Sequence, residues 1–284
     1  MSLGFSQKSL EIVRLAIQNK IKSKLKRKYA YVAKEFKENE KKLIHQQSNK
    51  VWVCWLQGIE NAPLIVKRCY DSLQKYLKDK EIILITEDNY RDYVEFPGFI
   101  LEKYKKGIIS KTHFSDLLRL ELLIKYGGTW IDATVLCTGN DMPDYILNSD
   151  LFVYQMLKPG KNGHSITISS WLMTACTNNN ILMLTRKFLY EYWSKNNTMV
   201  DYFLLHMFFC IACEYYPEEQ KKIPKVCNSI PHILLLELFD DYNEEFFNHV
   251  KKMTCFHKLN YKFDEAAFSK KGTYFDVVVR NRKY

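Results

Sequence analysis

The order of periodic segments along this chain predicts an α/β fold built on a parallel sheet. Two stretches carry that expectation. "VWVCWLQG" (51–58), "NAPLIVKRCYDSLQKYL" (61–77) and "EIILITED" (81–88) read as strand, helix and strand at the spacing of a βαβ unit. "SKTHFSDLLRLELLIKYGG" (110–128) reads as a helix stopped by two glycines, directly before a third strand, "TWIDATVLC" (129–137). Composition agrees. With 47% hydrophobic and 14% aromatic residues, 284 residues can fill a core, which excludes a disordered chain.

The first segment is helical. From residue 9 to about residue 42, Val13, Ile17, Ile21, Leu25, Tyr29, Val32 and Phe36 recur at three- and four-residue steps, which puts them on one face. "KIKSKLKRK" (20–28) clothes the other face with positive charge. Two roles fit such a helix: lying on an anionic membrane surface, or packing its stripe on the body with the lysines in water. Formal net charge is +10, and residues 1–50 hold thirteen Lys/Arg against four Glu, a net of +9. The remainder is almost neutral, which argues against a nucleic-acid-binding body. A boundary near residue 48 therefore separates a basic amphipathic helical arm, 1–48, from one catalytic-sized domain, 49–284.

Inside the βαβ unit Asn61 is the expected helix cap, Pro63 sits early in the helix, and Ile65, Cys69, Leu73 and Leu77 point inward. Short helices are expected around 90–94 and 98–105. Leu117, Leu120, Leu123 and Ile124 give the helix before the two glycines its buried face. Beyond the third strand, 151–157 and 169–176 read as strands and 181–196 and 199–216 as helices. The tail holds aromatic, partly basic pieces, "TCFHKLNYKF" (254–263) and "GTYFDVVVRNRKY" (272–284).

Most of the eight cysteines sit in apolar runs, as small hydrophobes do. Cys210 and Cys213 form a C-x-x-C without a second pair at zinc-ribbon spacing, so buried free thiols are expected. No secretory leader pattern is visible, and the longest apolar run, "YFLLHMFFCIAC" (202–213), is too short to span a bilayer. A cytoplasmic, reduced protein is the expectation.

In an open α/β sheet, ligands gather at the carboxyl ends of the parallel strands. Those ends carry Gln57 and Gly58, Glu87 and Asp88, and the stretch from Asp132 to Thr134. Asp132 stands alone in a stretch that otherwise reads as buried strand. It is either a capped structural group or a ligand, for example to a divalent cation bound to phosphates.

"WVCWLQG…AP", "FSDLLRLELLIKYGGTWIDATV" and the late "FHKLNYK" resemble the capsular polysaccharide synthesis glycosyltransferases, relatives of the sugar transferases that carry a DxD motif. The resemblance runs from about residue 51 to 262. It implies a glycosyltransferase-A fold, a Rossmann-like mixed sheet flanked by helices. It also implies a nucleotide-sugar donor, taken as a UDP-linked hexose or N-acetylhexosamine, and retention at the anomeric carbon. On that resemblance Asp132 matches the first acid of the motif. Thr134 stands at the second acidic position, where a hydroxyl is a weaker, neutral ligand. Asp132, Thr134 and the late His257 would then hold Mn2+ or Mg2+, and Lys258 would reach a diphosphate oxygen.

Trp52, Trp55 and Gln57 match the strand that binds the nucleotide base and ribose. Strand alternation puts the two tryptophans on opposite sides, so one of them belongs to the core. Asp116 and Arg119 share a helix face, where they would grip the donor's hydroxyls or form a local ion pair. Ser115 is a helix-side cap or a third donor contact, and Gly128 belongs to the donor-binding block. Asp201 would face the donor sugar or the acceptor, or cap its helix. His206, inside that helix, reads as a core histidine. The implied partners are a nucleotide sugar, an oligosaccharide acceptor linked to lipid, and an anionic membrane surface at the inner face of the cell membrane; nucleic acid is not among them. Thr134 leaves one rival from another class, a non-catalytic, membrane-docked scaffold of polysaccharide assembly.

Overall fold

The computed structural model describes residues 7–157 and 164–281. The first six residues of the expected arm and the last three of the tail lie outside the described residues. Five strands form the central sheet: β1 (Lys50–Cys54), β2 (Glu81–Ile85), β3 (Gly128–Ile131), β5 (Leu151–Gln155) and β6 (Ile168–Ala175). Two more, β4 (Val135–Cys137) and β7 (Phe256–Lys258), form a separate small ladder. The main helices are α1 (Gln7–Lys28), α2 (Ala30–Glu38), α3 (Leu64–Tyr76), α4 (Lys111–Tyr126), α5 (Asn180–Lys195), α6 (Leu204–Tyr215) and α7 (Glu244–Met253). The short helices expected after β2 form at Tyr90–Tyr93 and Gly98–Lys105.

The sheet order is β2-β1-β3-β6-β5. β1 runs parallel to β2 and to β3, as the βαβ reading requires, and β6 runs antiparallel to β3 and β5. The result is a mixed sheet covered on both faces by helices. Side chains alternate across it. Trp52, Trp130, Val153 and Met173 join the core under α4, α5 and α6. Val51, Val53, Ile131, Phe152 and Leu172 join the core under α3 and the C-terminal segment.

The third predicted strand is two strands. After Ile131 the Asp132 N–H donates to Trp171 O (2.8 Å), and the Val135 N–H turns back to Asp132 O (3.0 Å). The chain leaves the sheet at this corner, and β4 pairs antiparallel with β7, Val135 opposite Lys258. An apolar run interrupted by Asp132 and Thr134 has the composition of a bend, and the strand expected over 129–137 divides there.

Gly128 has a backbone role. Its φ is +92°, and a Cβ there would stand 2.3 Å from the Lys50 carbonyl oxygen. Only glycine lets β3 start beside β1 at that separation. The donor contact expected of Gly128 is replaced by this structural one. Next to it, Gly127 ends α4 and its carbonyl accepts the Trp52 indole N–H (2.9 Å).

The single long helix expected near the N-terminus breaks at Tyr29. Leu25, Tyr29, Val32 and Ala33 are buried in the core shared with α5 and α6. Tyr29 meets Phe208 edge-on at 5.5 Å, and Lys22 and Lys26 both pair with Glu214. The first turns differ: Leu10, Val13 and Ile17 are each more than half exposed. The arm therefore packs on the body only in part. Its second half is part of the body, and its first half presents apolar side chains to solvent.

Candidate active site

A cleft of about 410 Å³ opens where β1 and β3 end. The loop after β1 supplies Cys54, Trp55, Leu56 and Gln57, and the first turns of α4 supply Lys111, Thr112, Ser115, Asp116 and Arg119. The corner after β3 supplies Asp132, Ala133 and Thr134, and the segment after β7 supplies Asn260, Tyr261 and Lys262. Tyr202 and His206 close the far wall.

Asp132 is the hub. Its Oδ1 accepts from Arg119 Nη2 (3.1 Å) and from the Trp130 indole N–H (2.9 Å). Its Oδ2 lies 3.3 Å from Lys258 Nζ. Arg119 is almost wholly buried, stacks its guanidinium over the Trp130 ring at 4.8 Å, and reaches Asp116 Oδ1 at 3.1 Å through Nη1. The planar fork of an arginine suits this double pairing.

Asp116 also faces His113. The Trp193 indole, which can only donate, bonds His113 Nε2 (2.9 Å), so the imidazole proton sits on Nδ1 and points to Asp116 Oδ2 (3.2 Å). Burial pushes the Asp116 carboxyl up, but the His113 hydrogen bond and the Arg119 charge outweigh it and hold the group below its usual range. Asp116 and Asp132 therefore clamp one arginine between them. Six residues on α4, on β3 and the corner after it, and on α5 form a single network behind the cleft wall.

Lys258 comes from β7. The β4–β7 register sets it opposite Val135, and its ammonium donates to the Thr134 hydroxyl while facing Asp132. Strand alternation turns the preceding residue the other way. His257 is completely buried, its Nε2 bonds Thr138 (3.0 Å), and burial lowers its pKa to about 4. The metal-ligand role expected of His257 is thus corrected: neighbours in a strand face opposite sides, and Lys258 has the cleft side.

Other expected residues divide in the same way. Trp52 is the core tryptophan, fully buried against Tyr93 and Tyr126, which corrects its donor-binding role. Trp55 lines the cleft, edge-on to Tyr261 at 5.2 Å, and its indole N–H is buried without a protein partner. Gln57 is exposed at the cleft rim. Ser115 lines the cleft, but the cap of α4 is Ser110, which accepts from the His113 N–H. Asp201 does not line the cleft; its Oδ1 accepts from the Phe203 N–H (2.7 Å) in the turn before α6. Its neighbour Tyr202 reaches the cleft instead.

His206, expected in the core, forms part of the cleft wall. Burial and the Arg119 charge lower its pKa to about 4 against the pull of Asp116, so it is neutral at pH 7, and its Nδ1 has no protein partner. His113 and His206 were legible only through their i,i+3 and i,i+4 relations to Asp116 and Tyr202, a pattern too common to single them out.

A divalent cation needs oxygen ligands that are free to turn to it. Here both Asp132 oxygens are engaged, the Thr134 hydroxyl accepts from Lys258, and His257 faces away. Among the described residues no three His, Cys, Asp or Glu side chains are grouped to hold a metal ion. The donor set does not fit a resident divalent metal. All eight cysteines are free, and burial pushes the Cys54 thiol in the cleft wall up to about 12, so it is not a nucleophile at neutral pH.

Over 140 residues, 43% of the chain, the sequence is 26% identical to the O-glycosyltransferase PaGT of Phomopsis amygdali, and the match spans about a third (34%) of that enzyme's length. The solved structure of the PaToxG glycosyltransferase matches 96% of this chain and 99% of its own, at 15% identity and a TM-score of 0.41. A family model described as capsular polysaccharide synthesis protein matches residues 4–278, from α1 through the C-terminal segment, and the chain belongs to that family.

Proposed function

We propose that the cleft transfers a glycosyl group from a nucleoside diphosphate sugar to a saccharide hydroxyl, in the building of a capsular or other surface polysaccharide. One observation carries the reading. At the carboxyl ends of two parallel strands, Asp132, Arg119 and Lys258 converge on one cleft beside the Trp55–Tyr261 aromatic pair. The aromatic pair and Gln57 suit a nucleobase and ribose, Lys258 suits the diphosphate, and Asp116, Arg119 and His206 suit sugar hydroxyls. A UDP-linked hexose or N-acetylhexosamine is the donor class we favour.

The bond from the anomeric carbon to the diphosphate oxygen breaks, and its electron pair stays on that oxygen. The acceptor hydroxyl oxygen bonds to the anomeric carbon from the same face, and its proton passes to the departing phosphate. The anomeric configuration is retained without a protein nucleophile. The chain's part is to orient both substrates and to stabilise the charge that grows on the leaving oxygen.

The exposed apolar turns of α1 favour work at a membrane surface, on an acceptor linked to lipid at the inner face. Leu10, Val13 and Ile17 continue along the same helical line into Lys20, Lys24 and Arg27, all exposed. Such a line lays apolar side chains among acyl chains and lysines among anionic headgroups. No helix among the described residues is long and apolar enough to cross a membrane.

A panel of nucleotide sugars screened for thermal stabilisation tests the reading. A ligand at 100 times its Kd adds about 2.7 kcal/mol. The stabilising donor is then incubated with an oligosaccharide acceptor and nucleotide release is followed. If no nucleotide sugar stabilises the protein and none is turned over, the reading fails.

A further inference from the structure

Thr134 and Asp132 are the two side chains between which a bridging cation would sit, and the Lys258 ammonium occupies that gap. We infer that Lys258 takes the place of a divalent metal, so that the donor's diphosphate is bound and its leaving charge neutralised without one. The inference rests on the nucleoside diphosphate sugar reading above.

Three features support it. The first is the donor set. A hydroxyl stands where a second carboxylate would be needed, and a neutral oxygen attracts a divalent cation far less than a carboxylate does. The second is position. Lys258 is fixed by the ladder register opposite Val135, and its stem is mostly buried. An ammonium has three N–H groups. The Thr134 hydroxyl takes one and Asp132 Oδ2 holds the charge from one side, which leaves a donor for a phosphate oxygen.

The third is the charge of the lining. Lys111, Arg119, Lys258 and Lys262 face Asp116 and Asp132, a formal net of +2. A site that binds metal together with diphosphate needs an excess of carboxylates to hold the cation. A site with a net positive lining is matched to the diphosphate itself, whose two phosphates each carry a negative charge in the donor. When the glycosyl bond breaks, the added charge appears on the oxygen nearest the cation, so Lys258 acts as a catalytic residue through transition-state stabilisation.

The test measures nucleoside diphosphate binding by calorimetry, using whichever of UDP, GDP, CDP or dTDP binds best. Titrations are run in EDTA and in excess Mn2+, on the unmodified protein and on Lys258→Met. The expected result is a Kd in EDTA within about twofold of that in Mn2+, and about a tenfold weakening by Lys258→Met in EDTA, the loss of one charge-assisted hydrogen bond. Thermal unfolding of Lys258→Met confirms that it is folded; the comparison of EDTA with Mn2+ needs no variant. Binding that occurs only with Mn2+ overturns the inference and leaves the nucleotide reading standing. So does unchanged binding by folded Lys258→Met. If none of the four nucleotides binds under either condition, the nucleotide reading itself falls and this inference with it.

Discussion

Asp132 is held by the Trp130 indole, Arg119 and Lys258 at once. Asp132→Asn keeps the shape and a carbonyl oxygen for Trp130 but removes the charge that positions both cations. Transfer is expected to fall by about 10²–10³-fold, the range seen when one preorganised electrostatic contact is lost, with the protein still folded by circular dichroism. Full activity in folded Asp132→Asn would remove Asp132 from the reaction. Gly128 makes the opposite kind of prediction. An alanine Cβ would meet the Lys50 carbonyl, a backbone atom, at 2.3 Å, in a φ that side chains rarely adopt. Gly128→Ala should cost on the order of 3 kcal/mol or more in denaturant unfolding, and a near-neutral result would mean that β1 and β3 can separate.

Among the elements, those with strong periodicity were readable before any coordinates: the βαβ unit, α4 with its glycine stop, and the helices on the far side of the sheet. What local pattern cannot show is which partner an element meets. The chain's exit from the sheet at Asp132 depends on β7, more than 100 residues away, and so does the choice of Lys258 over His257. In the same way the break at Tyr29 follows from packing against Phe208 and Tyr192, while the apolar stripe continues through it unbroken. For the site, Asp132, Arg119, Asp116, Trp55 and Lys258 were on the page in the sequence; the wall formed by Tyr202 and His206 was not. α1 carries its own prediction. Ile17→Glu should weaken binding to vesicles rich in anionic lipid by about ten- to a hundredfold, since about 1.5–3 kcal/mol of side-chain burial is lost. Its unfolding free energy should stay within about 0.5 kcal/mol, because Ile17 is exposed. Added salt should weaken the unmodified protein's binding as well. Vesicle co-sedimentation that is indifferent to Ile17→Glu would place docking elsewhere.

For the molecule as a whole, His206 and His257 make stability depend on pH. Burial lowers both to about 4, against an ordinary value of 6.5. The unfolded chain takes up these protons below pH 6.5 and the folded one resists them until about pH 4. Stability is therefore full above pH 6.5 and is lost as pH falls from 6.5 to 4. For the fully buried His257 the loss approaches about 3 kcal/mol. His257→Gln, whose amide can still reach Thr138, should flatten part of the fall in Tm across that range. An unchanged slope would mean that His257 is not the group responsible.

The corner at Asp132 also sets how the two sides of the cleft are joined. Asp132 ends the five-stranded sheet, while Lys258 belongs to a separate two-stranded ladder of only three residue pairs. Backbone amides in so short a ladder open more readily than those of a wide sheet. On the proposed function, a bound nucleoside diphosphate touching both Asp132's neighbours and Lys258 would act as a staple across the two units. Amide hydrogen exchange followed by mass spectrometry should then slow on nucleotide binding most in peptides covering 135–138 and 255–259, and least in β1 and β2. Equal protection everywhere would mean that the two units already open and close as one.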